Sequence, residues 1–227
     1  MTRDYGDMRV RLGAGTGRRK VNEIQGYWDG LRRGRLMPAR AEVDPRGLER
    51  ALEFAFILER VAPSVARFRL AGMHLGDLMG MEVRGMPLSV FFAPDARERL
   101  GTLTEAAFAT PARVEATLRA EVALGKPEME AHLLLLPLSS EFGTVDRALG
   151  CLVAEGVIGR APRRFSFLET RITPLTAEPV RMRPALSGLS EPPAPYHVTR
   201  RLPADVQLAD MTPEERRAMF RIVRSES

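Results

Sequence analysis

The sequence predicts an α+β fold: a five-stranded antiparallel sheet with its helices inserted between strands two and three. Two stretches carry this reading. In Arg113–Val122, Val114, Ala116, Leu118, Ala120 and Val122 alternate with Arg113, Glu115, Thr117, Arg119 and Glu121, the pattern of an antiparallel strand with one face in water. Two further apolar runs, Met129–Leu138 and Ala148–Val157, follow it across the turn Gly125-Lys126-Pro127 and the loop Ser139–Thr144. The second stretch is Val65–Phe92, a strand that stops at a glycine and breaks into short turns. Such a segment cannot cover its own apolar face, so the chain from Pro94 onward must close over it.

Composition bounds the class. The 227 residues suffice for one domain with substantial extensions, and 44% hydrophobic with 28% charged residues is ordinary for a globular protein. A single cysteine rules out an internal disulfide and fits a reducing compartment. No run of about 18 apolar residues exists to span a membrane, and the first 30 residues hold no secretory h-region. A cytoplasmic location is expected. Net charge is +5, and Lys20 and Lys126 are the only lysines, so arginine carries the basic surplus. Arginine prefers planar anionic partners, which leaves nucleic acid or an acidic partner open beside the plainer reading of solvated faces.

Taken in order, residues 1–21 read as a flexible basic tail, because Gly13, Gly15 and Gly17 lack the preceding strand that a phosphate loop needs. Residues 22–53 read as a helical extension. Ile24, Tyr27, Trp28 and Leu31 share one helical face, which must dock on the domain's own sheet or on a second copy. Arg32, Arg33, Arg35 and Arg40 follow, with Glu42 and Asp44 near enough to pair with them, and with no interleaved aromatics for nucleic-acid stacking. Asp44-Pro45 is a helix start, and Leu48, Ala51 and Leu52 give it an apolar stripe.

Residues 54–158 read as the domain proper. Phe54–Leu58 is a strand or the end of a longer helix, and Pro63-Ser64 breaks the chain. In Val65–Leu70, Ala66, Phe68 and Leu70 share one face and Arg67 and Arg69 the other. Leu75–Met79 is a turn of helix with Gly80 as a left-handed C-cap. Pro94-Asp95 opens a helix to about Ala109, with Ala96, Leu100, Leu103, Ala107 and Phe108 turned inward. Residues 159–211 read as a Pro-rich linker to which Phe165–Leu168 adds a short apolar contact. Thr212-Pro213-Glu214-Glu215 caps a short terminal helix, Pro213–Arg224, that packs back or engages a partner.

No catalytic constellation emerges. His74, His132 and His197 lie far apart, and no Cys, His and carboxylate cluster is spaced to hold zinc. Cys151 is a small buried hydrophobe. Met73, Met79, Met81 and Met86 surround the glycine-punctuated stretch, where they pack a core or line an adaptable pocket. Since no nucleophile–base pair can be named, enzymatic activity is the least favoured class.

The order strand, strand, short helices, longer helix, three strands resembles the PAS domain. The blocks Tyr27-Trp28, Leu31-Arg32, Pro38-Ala39-Arg40, Val43-Asp44-Pro45, Phe68-Arg69-Leu70-Ala71-Gly72, Leu134-Leu135-Leu136-Pro137-Leu138, Asp146-Arg147 and Leu149-Gly150 occur in the order of one bacterial family of stand-alone PAS-type proteins of unknown function. The resemblance spans about Asn22 to Gly156. It implies a PAS-like sheet with an N-terminal docking helix and a Pro-rich tail, serving a sensory or regulatory protein that signals through protein contacts. A small-molecule pocket would be lined by Phe68, Leu70, Met73, Met86, Phe91, Leu103, Leu118 and Leu135. A contact surface for a partner or a second copy would use Trp28, Leu31, Arg32, Arg35 and Arg40. The alternatives are a ligand-free adaptor dimerising through its outer sheet face, and arginine-mediated nucleic-acid binding. The flavin-bonding Asn-Cys-Arg-Phe-type motif is missing, and Pro94–Thr110 carries no histidine for haem, so no cofactor and no metal is expected.

The strand register is testable at one residue. Phe68→Ala is expected to destabilise the fold by about 3–5 kcal/mol in denaturant unfolding. A loss below about 1 kcal/mol would mean that Phe68 does not face the core.

Overall fold

The run Leu133-Leu134-Leu135-Leu136 has no polar face, so a strand made from it must be buried on both sides. The computed structural model describes residues 5–140 and 142–176, with residues 5–14 as backbone alone. Here the run lies in β4 (Glu130–Ser139) and feeds two separate cores. Leu133 and Leu135 enter one, while Leu134 and Leu136 enter the other.

The remaining strands are β1 (Ala55–Ala62), β2 (Val65–Ala71), β3 (Ala112–Ala120), β5 (Val145–Glu155) and β6 (Phe165–Pro174). They form a six-stranded antiparallel sheet in the order β2-β1-β5-β4-β3-β6. The expected count of five is corrected by β6, which pairs with β3 from Ala112↔Pro174 to Ala120↔Phe165. A register shift at Leu168 interrupts its alternation, and the strand is otherwise rich in Ser, Thr, Glu and Arg, so no period-2 signal survives. Part of the expected linker is therefore sheet.

Helices α2 (Met73–Met79) and α3 (Arg97–Phe108) fall between β2 and β3 as expected and cover the inner face. The stripe of Ala96, Leu100, Leu103, Ala107 and Phe108 is buried throughout. Phe68 sits at the centre, edge-to-face with Phe56 (centroids 5.3 Å apart) and Phe91 (5.7 Å). Gly80 ends α2 at φ 77°, the left-handed C-cap that the sequence predicts.

A long helix, α1 (Tyr5–Arg32), covers the outer face. It begins well before Asn22, so the segment expected as a tail is helical from Tyr5. Each glycine disfavours a helix by about 1 kcal/mol, which is why the three at 13, 15 and 17 obscured this turn of the chain. One of them serves a close approach: a Cβ on Gly17 would stand 2.8 Å from the Glu155 side chain at the end of β5. Ile24 and Trp28 are fully buried against the sheet, and the Trp28 indole N–H donates to the Pro137 carbonyl at 3.0 Å. The helix thus docks on the domain's own sheet, and the outer face beneath it is not free to pair with a second copy.

The expected helix after Asp44 is instead two 3-10 turns, Pro45–Leu48 and Leu52–Phe54. Asp44 caps the first, accepting from the Arg46 N–H at 2.9 Å. The Tyr27 hydroxyl donates to the Asp44 carbonyl and accepts from its N–H, pinning the turn to α1 and cutting it short.

Where β2 leaves the sheet the chain runs directly against the second 3-10 turn. The Gly72 N–H donates to the Ala55 carbonyl at 2.8 Å, and a Cβ on Gly72 would lie 2.1 Å from the Glu53 carbonyl oxygen. Backbone cannot yield as a flexible side chain does, so Gly72→Ala is expected to destabilise by about 3 kcal/mol, the upper end of overpacking. Chemical denaturation checks it; a change below about 0.5 kcal/mol would show that the two segments separate freely.

Candidate functional site

The residues expected to line one pocket divide into two sets. Phe68, Phe91, Leu103, Leu118 and Leu135 are fully buried together in the inner core, and Met86 packs half-buried at its margin. They fill the space between sheet and helices. Leu70 and Met73 do not join them. A bulge places Leu70 opposite Ile57 while Phe68 stands opposite Leu58, so Arg69 is the extra residue and Leu70 turns to the outside. Leu70 is 47% exposed and Met73 72% exposed.

Those two side chains belong to an outer groove of about 570 Å³ at the β1–β2 end of the sheet. Its floor is Ala55, Ile57 and Leu149; its walls are Val43, Leu48 and Leu52 on one side and Leu70–Met73 on the other. Arg40, Glu49 and Glu53 stand on the rim. A second hollow of about 350 Å³ shares Leu70–Met73 and continues past Asp77 and Glu82 to Arg84. Other hollows differ in character. One of about 450 Å³ lies between β2 and α3, and one of about 130 Å³ under α1 is lined by Arg18, Glu115, His132 and Arg171 among others.

The residues expected as a contact surface are mostly engaged internally. Trp28 is buried, and Arg32 lies over its ring at 5.3 Å while donating to the carbonyls of Arg35 and Thr176. Leu31 is half-buried. Arg35 grips Glu42 with both carboxylate oxygens at 2.7 and 2.8 Å, the ion pair that the sequence favours. Its hydrogen bond, together with one from the Ala39 N–H, holds the Glu42 carboxyl below its usual range. Arg40 alone of the set reaches the groove.

Two residues carry more than the sequence reading assigned. Arg163 is fully buried and donates to the carbonyls of Ile158, Glu121 and Pro127, fastening the β3–β4 turn to the β5–β6 connection. Burial pushes its guanidinium below the ordinary arginine value. Its basic neighbours Arg160 and Arg164 masked it in the sequence. His74, in the first turn of α2, accepts from the Ala154 N–H at 3.2 Å and meets the Phe54 ring edge-on at 4.8 Å. It ties the groove wall to β5. Burial lowers its pKa, with Glu53 and Asp77 opposing. Cys151 is buried as expected, and burial pushes its thiol up. Among the described residues no three His, Cys, Asp or Glu side chains form a group that could hold a metal, and no helix is long and apolar enough to cross a membrane. His197 and the expected helix Pro213–Arg224 lie outside the described residues.

The depressed His74 pKa sets a pH dependence. The unfolded chain binds the proton at an ordinary value near 6.5, the folded chain only below it. Stability is therefore complete above that value and is lost as pH falls through the folded pKa. His132 acts in the same direction, through burial and then Arg18, with Glu155 and Glu130 opposing. The melting temperature is expected to drop between about pH 7 and 5. His74→Gln, which keeps an acceptor for the Ala154 N–H, is expected to flatten the drop; an unchanged slope would place its origin elsewhere.

Comparison with known proteins agrees with this architecture. The family model of the PAS domain matches residues 18–153, from the outer helix through β5. No curated protein matches the chain. The match covers more than half of the 227 residues and takes in the second half of the outer helix, the inserted helices and the first five strands as far as Val153. The chain belongs to the PAS domain family.

Proposed function

We propose that the chain is a non-catalytic sensory or regulatory module, that its output passes through protein contacts, and that its binding place is the outer groove. PAS domains are in general sensory and interaction modules. The single observation that carries the reading is the contrast between interior and exterior. The space between sheet and helices holds fully buried side chains, with Phe68 locked between Phe56 and Phe91. The groove instead presents about 570 Å³ bordered by Leu52, Leu70 and Met73, within the size range of binding sites.

The groove wall is also joined to the core. His74 follows Met73 and bonds β5, and Gly72 abuts the turn that carries Leu52 and Glu53. An occupant that moves Met73 acts directly on α2 and, through it, on the inner core. The ion pairing of Arg35 and the backbone bonding of Arg32 favour this reading over nucleic-acid binding through the Arg32–Arg40 segment.

Native mass spectrometry of the protein purified from its own host tests it. Wild type is expected to carry a bound molecule or partner, and the Leu70→Glu/Met73→Glu variant to lose it at an unchanged melting temperature. The bare chain mass for wild type would sink the reading, as would equal retention by the variant.

A further inference from the structure

We infer that the outer groove receives a basic amphipathic helix from a partner protein. This rests on the groove being the binding place, and it names the occupant.

Shape excludes two other kinds of guest. Leu52, Leu70 and Met73 are 43%, 47% and 72% exposed, so the walls stand open, whereas small-molecule sites bury most of their ligand. The two hollows that meet at Leu70–Met73 make a track that runs from Leu48 past Asp77. An extended peptide would need a free strand edge. The β2 edge beside the track is occupied at Phe68, whose N–H donates to Met86 and whose carbonyl accepts from the Gly85 N–H. A helix needs no main-chain partner and presents apolar side chains at i, i+3 or i+4, and i+7, which suits a long open apolar track. Exposed apolar side chains gathered in this way mark interaction sites.

Charge selects the helix. Glu49, Glu53, Asp77 and Glu82 border the track, against Arg40 and Arg84. The chain as a whole is at +5, so this is an acidic strip on a basic protein. Elsewhere several acids are taken: Glu42, Glu59, Glu105 and Asp146 each pair with arginine. Among the described residues, none of the four rim acids does. A partner helix with arginine or lysine flanking an apolar stripe supplies both complements.

The test is fluorescence anisotropy with the full chain and a labelled 18-residue peptide, helical, with leucine at i, i+3, i+4 and i+7 and arginine on either side of that stripe. Saturable binding is expected. The same peptide with its arginines replaced by glutamate is expected to bind at least about tenfold more weakly, and so is the original peptide to Met73→Glu or to Glu49→Arg/Glu53→Arg. Each altered residue is exposed, and matching melting temperatures confirm the fold. Equal affinity for the two peptides, or an unchanged affinity of the variants, overturns the inference. So does binding of 8-anilinonaphthalene-1-sulfonate that Met73→Glu abolishes while the peptide fails to bind, since the occupant is then a small molecule. In that case the groove remains the binding place. A bare wild-type mass in the native spectrum, or equal retention by the Leu70→Glu/Met73→Glu variant, removes both.

Discussion

The central strands β4 and β5 are apolar on both faces, and the rest of the structure answers that constraint. One cover would leave Leu134, Leu136, Leu149 and Cys151 in water. At about 25 cal/mol per Å², exposing even one leucine forfeits about 2 kcal/mol, a sizeable part of a stability of about 5–15 kcal/mol. α1 is therefore part of the folded domain. Trp28 fixes its position, since a buried indole needs an acceptor, and Pro137 in β4 offers a carbonyl at 3.0 Å.

The second organising feature is the bulge at Arg69. It reverses the direction of one side chain and so separates two environments within three residues. Phe68 completes the inner core and Leu70 opens the outer groove. Had β2 kept strict alternation, Leu70 would have turned inward, and the groove would have lost one wall. The same edge carries Glu59, which takes Arg67 from β2 and Arg147 from β5. Burial acts against its charge, but the Arg67 hydrogen bond and the charges of Arg147, Arg67 and Arg69 hold its carboxyl below the usual range. Its ion pairs tie β1 to both neighbours beside the bulge.

What was legible in the sequence follows the strength of local periodicity. β3 alternates over its whole length with one polar face, and α3 shows its inward stripe, so both are readable to within three residues. β6 was not, because a bulge and a polar composition erase period 2, and pairing with β3 supplies the order that its own sequence lacks. Glycine propensity likewise hides the start of α1, although Gly17 lies directly against Glu155 of β5. For the site, type and neighbours mark Leu70 and Met73 as lining an inner pocket, but the bulge turns Leu70 outward and Met73 lies exposed. A one-residue slip in a strand moves a side chain to the opposite side, and nothing around Arg69 announces the slip. Glu53 gives no signal, since its place depends on the close approach of Gly72 from elsewhere in the chain.

Energetics favour the proposed binding on the outside. An empty cavity in a core costs about 24 cal/mol per Å³, so an unfilled space of about 300 Å³ would take about 7 kcal/mol from the folded state. That approaches the whole stability of a domain of this size. Filling the interior with Phe56, Phe68 and Phe91 removes the penalty, and a groove open to water incurs none of it. The connection between groove and core then has to be mechanical. Met73 and His74 supply it, one in the groove wall and the other bonded to β5. Because α2 is only seven residues long, a displacement at its first turn reaches Leu75, Leu78 and Met79 in the inner core without a hinge to absorb it.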